Sequence, residues 1–151
     1  LNISAEEVQF AAIANMKKQA KIQTMREILS EHFLETEVSP QKESSAEMYV
    51  VSAGDDLITG KLSNGAAAIL SRSIRKQIVK RMGGNAYLLP SSIEEFIVCP
   101  EIKGEEKELL KMVYSINHSD IIPDSLFLSN SIYYLEENGD IRVITSEKMK
   151  P

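Results

Sequence analysis

The run Ile132-Tyr133-Tyr134-Leu135-Glu136-Glu137-Asn138-Gly139-Asp140-Ile141-Arg142-Val143-Ile144 constrains this chain more than any other stretch. Two apolar quartets, rich in β-branched and aromatic residues, flank an Asn-Gly pair. Between such runs Asn-Gly is the strongest short signal for a β-hairpin, because both residues tolerate the positive φ values of a tight turn. The closing part of the chain is therefore antiparallel sheet, and Glu136, Glu137 and Asp140 read as its solvated tip.

A second hairpin is written at 86–99. Ala86–Leu89 and Phe96–Cys99 are short apolar runs bounded by Pro90 and Pro100. Proline cannot donate to a ladder, so the first strand ends at Pro90. Ser91, Ser92, Glu94 and Glu95 then read as turn residues, since a serine hydroxyl commonly stabilises a turn. Met48-Tyr49-Val50-Val51-Ser52 is a further strand. Gly65–Leu70 is ambiguous. Its alanines favour helix, whereas its shortness and the preceding Asn64 favour a strand pairing back on Met48–Ser52, and strand is the reading adopted.

Helical spacing occupies the rest. Ser71–Met82 is the clearest case, with Ser71 or Ser73 as cap and Gly83-Gly84 as terminator. Ile74, Ile78 and Met82 share one side of it, and Arg72, Lys76 and Lys80 share the other. Glu105–Asn117 carries Leu109, Leu110, Val113 and Ile116 as a stripe, with Glu105, Glu106 and Glu108 at the positive helix end. Pro123-Asp124-Ser125 starts one short helical turn. At the N-terminus, Ser4 and Glu7 form a capping box, followed by Val8, Ala11, Ala12 and Met16 at helical spacing. Ile22, Met25, Ile28, Leu29 and Phe33 continue that spacing, with a join or a bend near Lys17–Lys21. Glu35–Glu47 is polar and aperiodic and reads as a surface linker.

The expected fold is α+β: a mostly antiparallel sheet of about six short strands, helices packed on one face, and an N-terminal helical arm. The expected organisation is an arm over 1–34, a linker over 35–47, a body over 48–145 and a tail over 146–151, within one domain overall. The chain of 151 residues is long enough to withdraw about 70% of its unfolded surface from water without staples.

Most chemistries lack their residues. Cys99 is the one cysteine; it can form no internal disulfide or Cys-rich zinc site, and it lies in an apolar run as a buried thiol would. A reducing, cytoplasmic compartment follows. His32 and His118 stand alone, without ligand spacing, so no metal is expected. Gly83-Gly84-Asn85 runs from helix to strand, the reverse of a phosphate loop, and no cofactor is expected. Asp55 and Asp56 lack the oxygen spacing of a calcium loop. Glu94-Glu95 and Glu136-Glu137 are adjacent pairs, and neighbours on a strand point to opposite faces. No apolar stretch approaches the roughly 20 residues of a membrane helix, and no signal peptide is visible. The chain starts at Leu1 rather than Met, as a fragment of a longer protein would.

One feature stands out against the net charge of −5. Arg72, Arg75, Lys76, Lys80 and Arg81 crowd one helix with no acid among them. A solvated face is the plain reading of such a run. A docking surface for an acidic partner, or for a phosphate backbone, is the sharper one. The acidic balance and the absence of tryptophan weigh against nucleic acid.

Four stretches carry a likeness: M-Y-V-V-S at 48–52, N-G-A-A-A-I-L at 64–70, Y-L-L-P-S-S-I-E-E at 87–95 and L-K-M-V-Y-S-I-N at 110–117. In order and wording they resemble an uncharacterised bacterial family found mainly in Firmicutes, domain of unknown function 5688. The likeness covers about the last two thirds of the chain and, more loosely, the N-terminal helices. Members often carry histidine after the isoleucine of L-P-S-S-I, where this chain has Glu94. The resemblance implies the element order and no activity, cofactor or site residue.

Three functional readings follow. The favoured one is a non-enzymatic cytoplasmic binding module that docks an acidic protein partner on the basic helix, or self-associates through the N-terminal stripe. The alternatives are a nucleic-acid accessory protein using the same helix, and an enzyme whose site assembles from distant residues such as Ser92, Glu94, His118 and Tyr87.

Overall fold

The computed structural model describes residues 2–32, 47–53, 64–90, 92–119 and 123–145. The linker over 35–46, the loop holding Asp55 and Asp56, Ser91 and the tail over 146–151 lie outside the described residues.

In chain order the elements are α1 (Ala5–Gln19), β1 (Ala20–Thr24), α2 (Met25–His32), β2 (Tyr49–Ala53), a 3₁₀ segment (Gly65–Leu70), α3 (Arg72–Met82), β3 (Ala86–Leu89), β4 (Glu95–Pro100), α4 (Glu106–Asn117), a short 3₁₀ turn (Asp124–Leu126), β5 (Ile132–Leu135) and β6 (Ile141–Ile144). The six strands form one sheet in the order β1-β2-β4-β3-β5-β6, and every neighbouring pair is antiparallel. The fold is α+β.

Two connections set the layers. β2 and β3 are parallel with β4 between them, and β4 and β5 are parallel with β3 between them. Both crossovers advance in the same direction across the sheet, from strands that run oppositely. Crossovers of the usual right hand then place their helices on opposite faces. The core divides in that way. Leu88 and Ala86 of β3 join Ile74 and Ile78 of α3 on one side. Tyr87 and Leu89, the alternate residues, join Leu110 and Val113 of α4 on the other. Helices thus cover both faces, where the sequence pattern predicts one. The near-continuous apolar run of β3, buried at all four positions, is the local sign of two-sided burial.

The N-terminal part departs from a purely helical arm. The capping box forms, with the Glu7 amide donating to Ser4 Oγ at 3.2 Å and the Ser4 amide donating to Glu7 Oε2 at 2.8 Å. Yet α1 fully buries none of its residues, and Phe10 is 79% exposed. Ala20–Thr24, which the spacing predicts as helix, is instead an edge strand on β2. Met16, Ala20 and Ile22 pack against the α3-side core. Ala20 and Ile22 satisfy a period of two as well as they satisfy the helical pattern, and the exposed edge of β2 decides between them.

Gly65–Leu70 is the other correction: a 3₁₀ helix, not a strand. Its glycine abuts backbone. A Cβ at Gly65 would collide with the Ala53 amide nitrogen and the Glu94 carbonyl. The next amide, of Ala66, donates to the Ile93 carbonyl at 3.2 Å. This segment binds the β3–β4 turn and does not extend β2.

Candidate functional site

α3 is fixed by local chemistry at both ends. Ser71 Oγ accepts from the Ile74 amide at 3.4 Å, and Gly83 stops the helix with φ 73°. Its buried side holds Ile74 and Ile78. The five basic residues that share this helix in sequence then separate by duty.

Arg75 is a clamp. Its Nε donates to the Gly139 carbonyl at 2.7 Å and its Nη1 to the Ile69 carbonyl at 2.6 Å. Burial, followed by repulsion from Arg72, lowers its pKa from the ordinary arginine value, but an arginine so placed keeps its charge. Arg81 lies at the other end, where Nη1 donates to the Ile22 carbonyl of β1 at 2.8 Å. Between them these two side chains anchor α3 at opposite edges of the sheet. Arg72 reaches the Asn138 carbonyl at 3.2 Å and pairs with Asp140 at 3.2 Å. Both members of that ion pair are more than half exposed, so it contributes little stability.

Lys76 and Lys80 have no hydrogen bond or ion pair among the described residues. With Arg72, Ser73 and Gln77 they line a shallow, open depression of about 490 Å³. The stem of Lys76 lies over Gly139, where an added Cβ would come within 3.1 Å of Lys76 Cγ. Arg72, Lys76 and Lys80 are one turn apart, roughly 6 Å per step along the axis. Arg72, Lys76 and Lys80 thus line one open face, while Arg75 and Arg81 each hydrogen-bond a backbone carbonyl distant in sequence.

The side chains of Ser92, Glu94, His118 and Tyr87 share no hydrogen bond with one another among the described residues. Ser92 is buried, and its Oγ accepts from the Glu94 amide at 3.1 Å as part of the turn. Ile93 is held by backbone bonds to Ala66 and Leu126. His118 is exposed, donates Nδ1–H to its own helix at Tyr114 O (2.8 Å) and stacks on the Tyr114 ring at 3.9 Å. No hydrogen bond joins it to Ser92. Burial first, then Glu94, raises Glu95. Burial pushes the Cys99 thiol up to about 11, far from a nucleophilic thiolate at neutral pH.

A polar cluster on the α4 side has no signal in the sequence. Tyr87 donates to Glu106 at 3.1 Å, Tyr134 donates to Glu101 at 2.8 Å, and Asn85 donates to the second oxygen of Glu101 at 3.1 Å. The two rings lie 5.4 Å apart, and Arg142 covers Tyr134 at 4.3 Å. Both phenols are raised, Tyr87 chiefly by burial and Tyr134 chiefly by its bond to Glu101. They are weaker acids than free tyrosine and serve as satisfied core hydroxyls. An apolar cavity of about 580 Å³ lies against Leu70, Leu88, Phe96 and Tyr133, and Tyr133 is the only titratable side chain among the described residues lining it.

Among the described residues, no group of three or more His, Cys, Asp or Glu could hold a metal ion, and no helix is long and apolar enough to cross a membrane. Fold and surface together define an α+β chain with two covered sheet faces and an open basic helix. The chain belongs to a family of unknown function (DUF5688), whose model matches residues 1–137. No curated protein and no solved structure matches it.

Proposed function

We propose that the chain is a non-enzymatic interaction module that docks an acidic partner on the open face of α3. The supporting observation is the pair Lys76 and Lys80, unpaired among the described residues and lining the depression with Arg72. The unpaired Lys76 and Lys80, beside the Arg72–Asp140 ion pair, put positive charge on one face of a chain of net charge −5, and such an asymmetric field steers an anionic partner to one place. Cys99, buried as a free thiol, suits a reducing compartment, and the proposal puts the module in the cytoplasm.

The test is binding of fluorescent poly-glutamate at low salt to the wild-type chain and to the double variant Lys76→Glu, Lys80→Glu. The expected result is saturable binding that weakens as salt rises, reduced at least tenfold in the variant. Equal binding by both chains would remove α3 as the docking face. Retardation of duplex DNA at low salt, with poly-glutamate ignored, would favour the nucleic-acid alternative.

A further inference from the structure

The two edges of the sheet are treated differently. On β1 the Met25 amide donates to Met48 O at 2.9 Å, which fixes the ladder phase and turns the backbone groups of Ala20, Ile22 and Thr24 outward. Three of those groups are taken. The Ala20 amide closes α1 on Met16 O, the Ile22 carbonyl accepts from Arg81, and the Thr24 amide donates to Glu27 at 2.7 Å. Such capping blunts an edge against strand pairing.

On β6 the Glu136 amide donates to Asp140 O at 2.9 Å. That phase turns the amides and carbonyls of Ile141 and Val143 outward, and neither residue has a partner for them among the described residues. Val143 is 41% exposed. Cations flank this open edge on both faces. The stems of Arg72 and Lys76 lie against Gly139, two residues before Ile141, and Arg142 projects on the opposite face over Tyr134.

We infer that the β6 edge accepts an added strand from an extended acidic peptide. The outward amides and carbonyls of Ile141 and Val143 supply main-chain bonds, and the flanking cations select carboxylates on alternate side chains. This inference rests on the docking function proposed above and adds its mode: the partner pairs backbone to backbone beside the basic row.

The probe is a labelled acetylated and amidated peptide of three Glu-Val repeats, with a Lys-Val peptide as control. The expected result is binding of the acidic peptide alone, with slowed hydrogen exchange at the Ile141 and Val143 amides and unchanged exchange at Arg142 and Ile144. Val143→Pro removes an outward amide that the β5–β6 ladder does not use, and it lowers affinity at least tenfold. Should that variant fail to fold, the exchange pattern of the wild-type chain decides alone. Full binding by a folded Val143→Pro chain, with loss in the Lys76→Glu, Lys80→Glu variant, would overturn strand addition and leave the basic face standing. Absence of binding by the wild-type chain would overturn both. Protection of the same amides by dimerisation without peptide would give the edge to a second copy and overturn the acidic partner.

Discussion

Arg75 Nε donates to the Gly139 carbonyl at 2.7 Å, across 64 positions of sequence. The bond ties the first turns of α3 to the β5–β6 turn, and the Nη1 bond to Ile69 O ties the same guanidinium to the 3₁₀ segment. Arg75→Ala should lower unfolding free energy by about 1.5–3 kcal/mol, the range for hydrogen bonds to a charged group. Arg75→Lys should recover little, since an ammonium cannot reproduce the planar fork. Urea denaturation of the two variants checks both statements.

Two glycines should differ sharply when changed to alanine. At Gly65 a Cβ meets backbone of Ala53 and Glu94, and backbone cannot move aside as a side chain can. Gly65→Ala should cost at least about 2 kcal/mol, toward the upper part of the overpacking range. At Gly83 nothing lies within 4 Å and only φ 73° resists a side chain, so Gly83→Ala should cost about 1 kcal/mol. Equal midpoints for the two variants would contradict the close approach at Gly65.

Stability should fall in alkali. Cys99 at about 11, Tyr87 and Tyr134 all hold their protons longer in the folded chain than in the unfolded one. The unfolded values are about 8.5 for a thiol and about 10 for a phenol. Below those values the contribution is fully present. As pH rises through them the unfolded chain loses protons first, so unfolding becomes easier. The urea midpoint should decline from pH 8 to pH 11, and less steeply in Cys99→Ala. A flat midpoint would contradict the shifts.

The buried thiol makes a chemical prediction as well. Iodoacetamide at pH 8 should leave Cys99 unmodified in the native chain and alkylate it in urea, as mass spectrometry would read. Rapid native labelling would mean that the site opens far more often than its burial implies.

What the sequence made legible was whatever local residues decide. The bounds of α3 follow from Ser71 and Gly83, and the β5–β6 hairpin follows from Asn138-Gly139, with Gly139 at φ 86°. The β3–β4 pairing closes where Pro90 and Ser92 indicate, with Ser92 Oγ accepting from the Glu94 amide. Misreadings arose where a distant partner overrides the local pattern. β1 forms because β2 offers an edge to Ala20–Thr24. Gly65–Leu70 turns into a 3₁₀ helix because its first residues meet Ala53, Ile93 and Glu94. The basic residues were visible as a group, but their division was not. Arg75 and Arg81 bind carbonyls 64 and 59 positions away, and carbonyls leave no trace in side-chain pattern.

The docking account meets its most direct test in a ¹⁵N-resolved titration of the whole chain with poly-glutamate at low salt. It predicts saturable shifts centred on Arg72, Ser73, Lys76, Gln77 and Lys80, extending to Ile141 and Val143. Shifts confined to the exposed side of α1 around Phe10, or none at all, would contradict it.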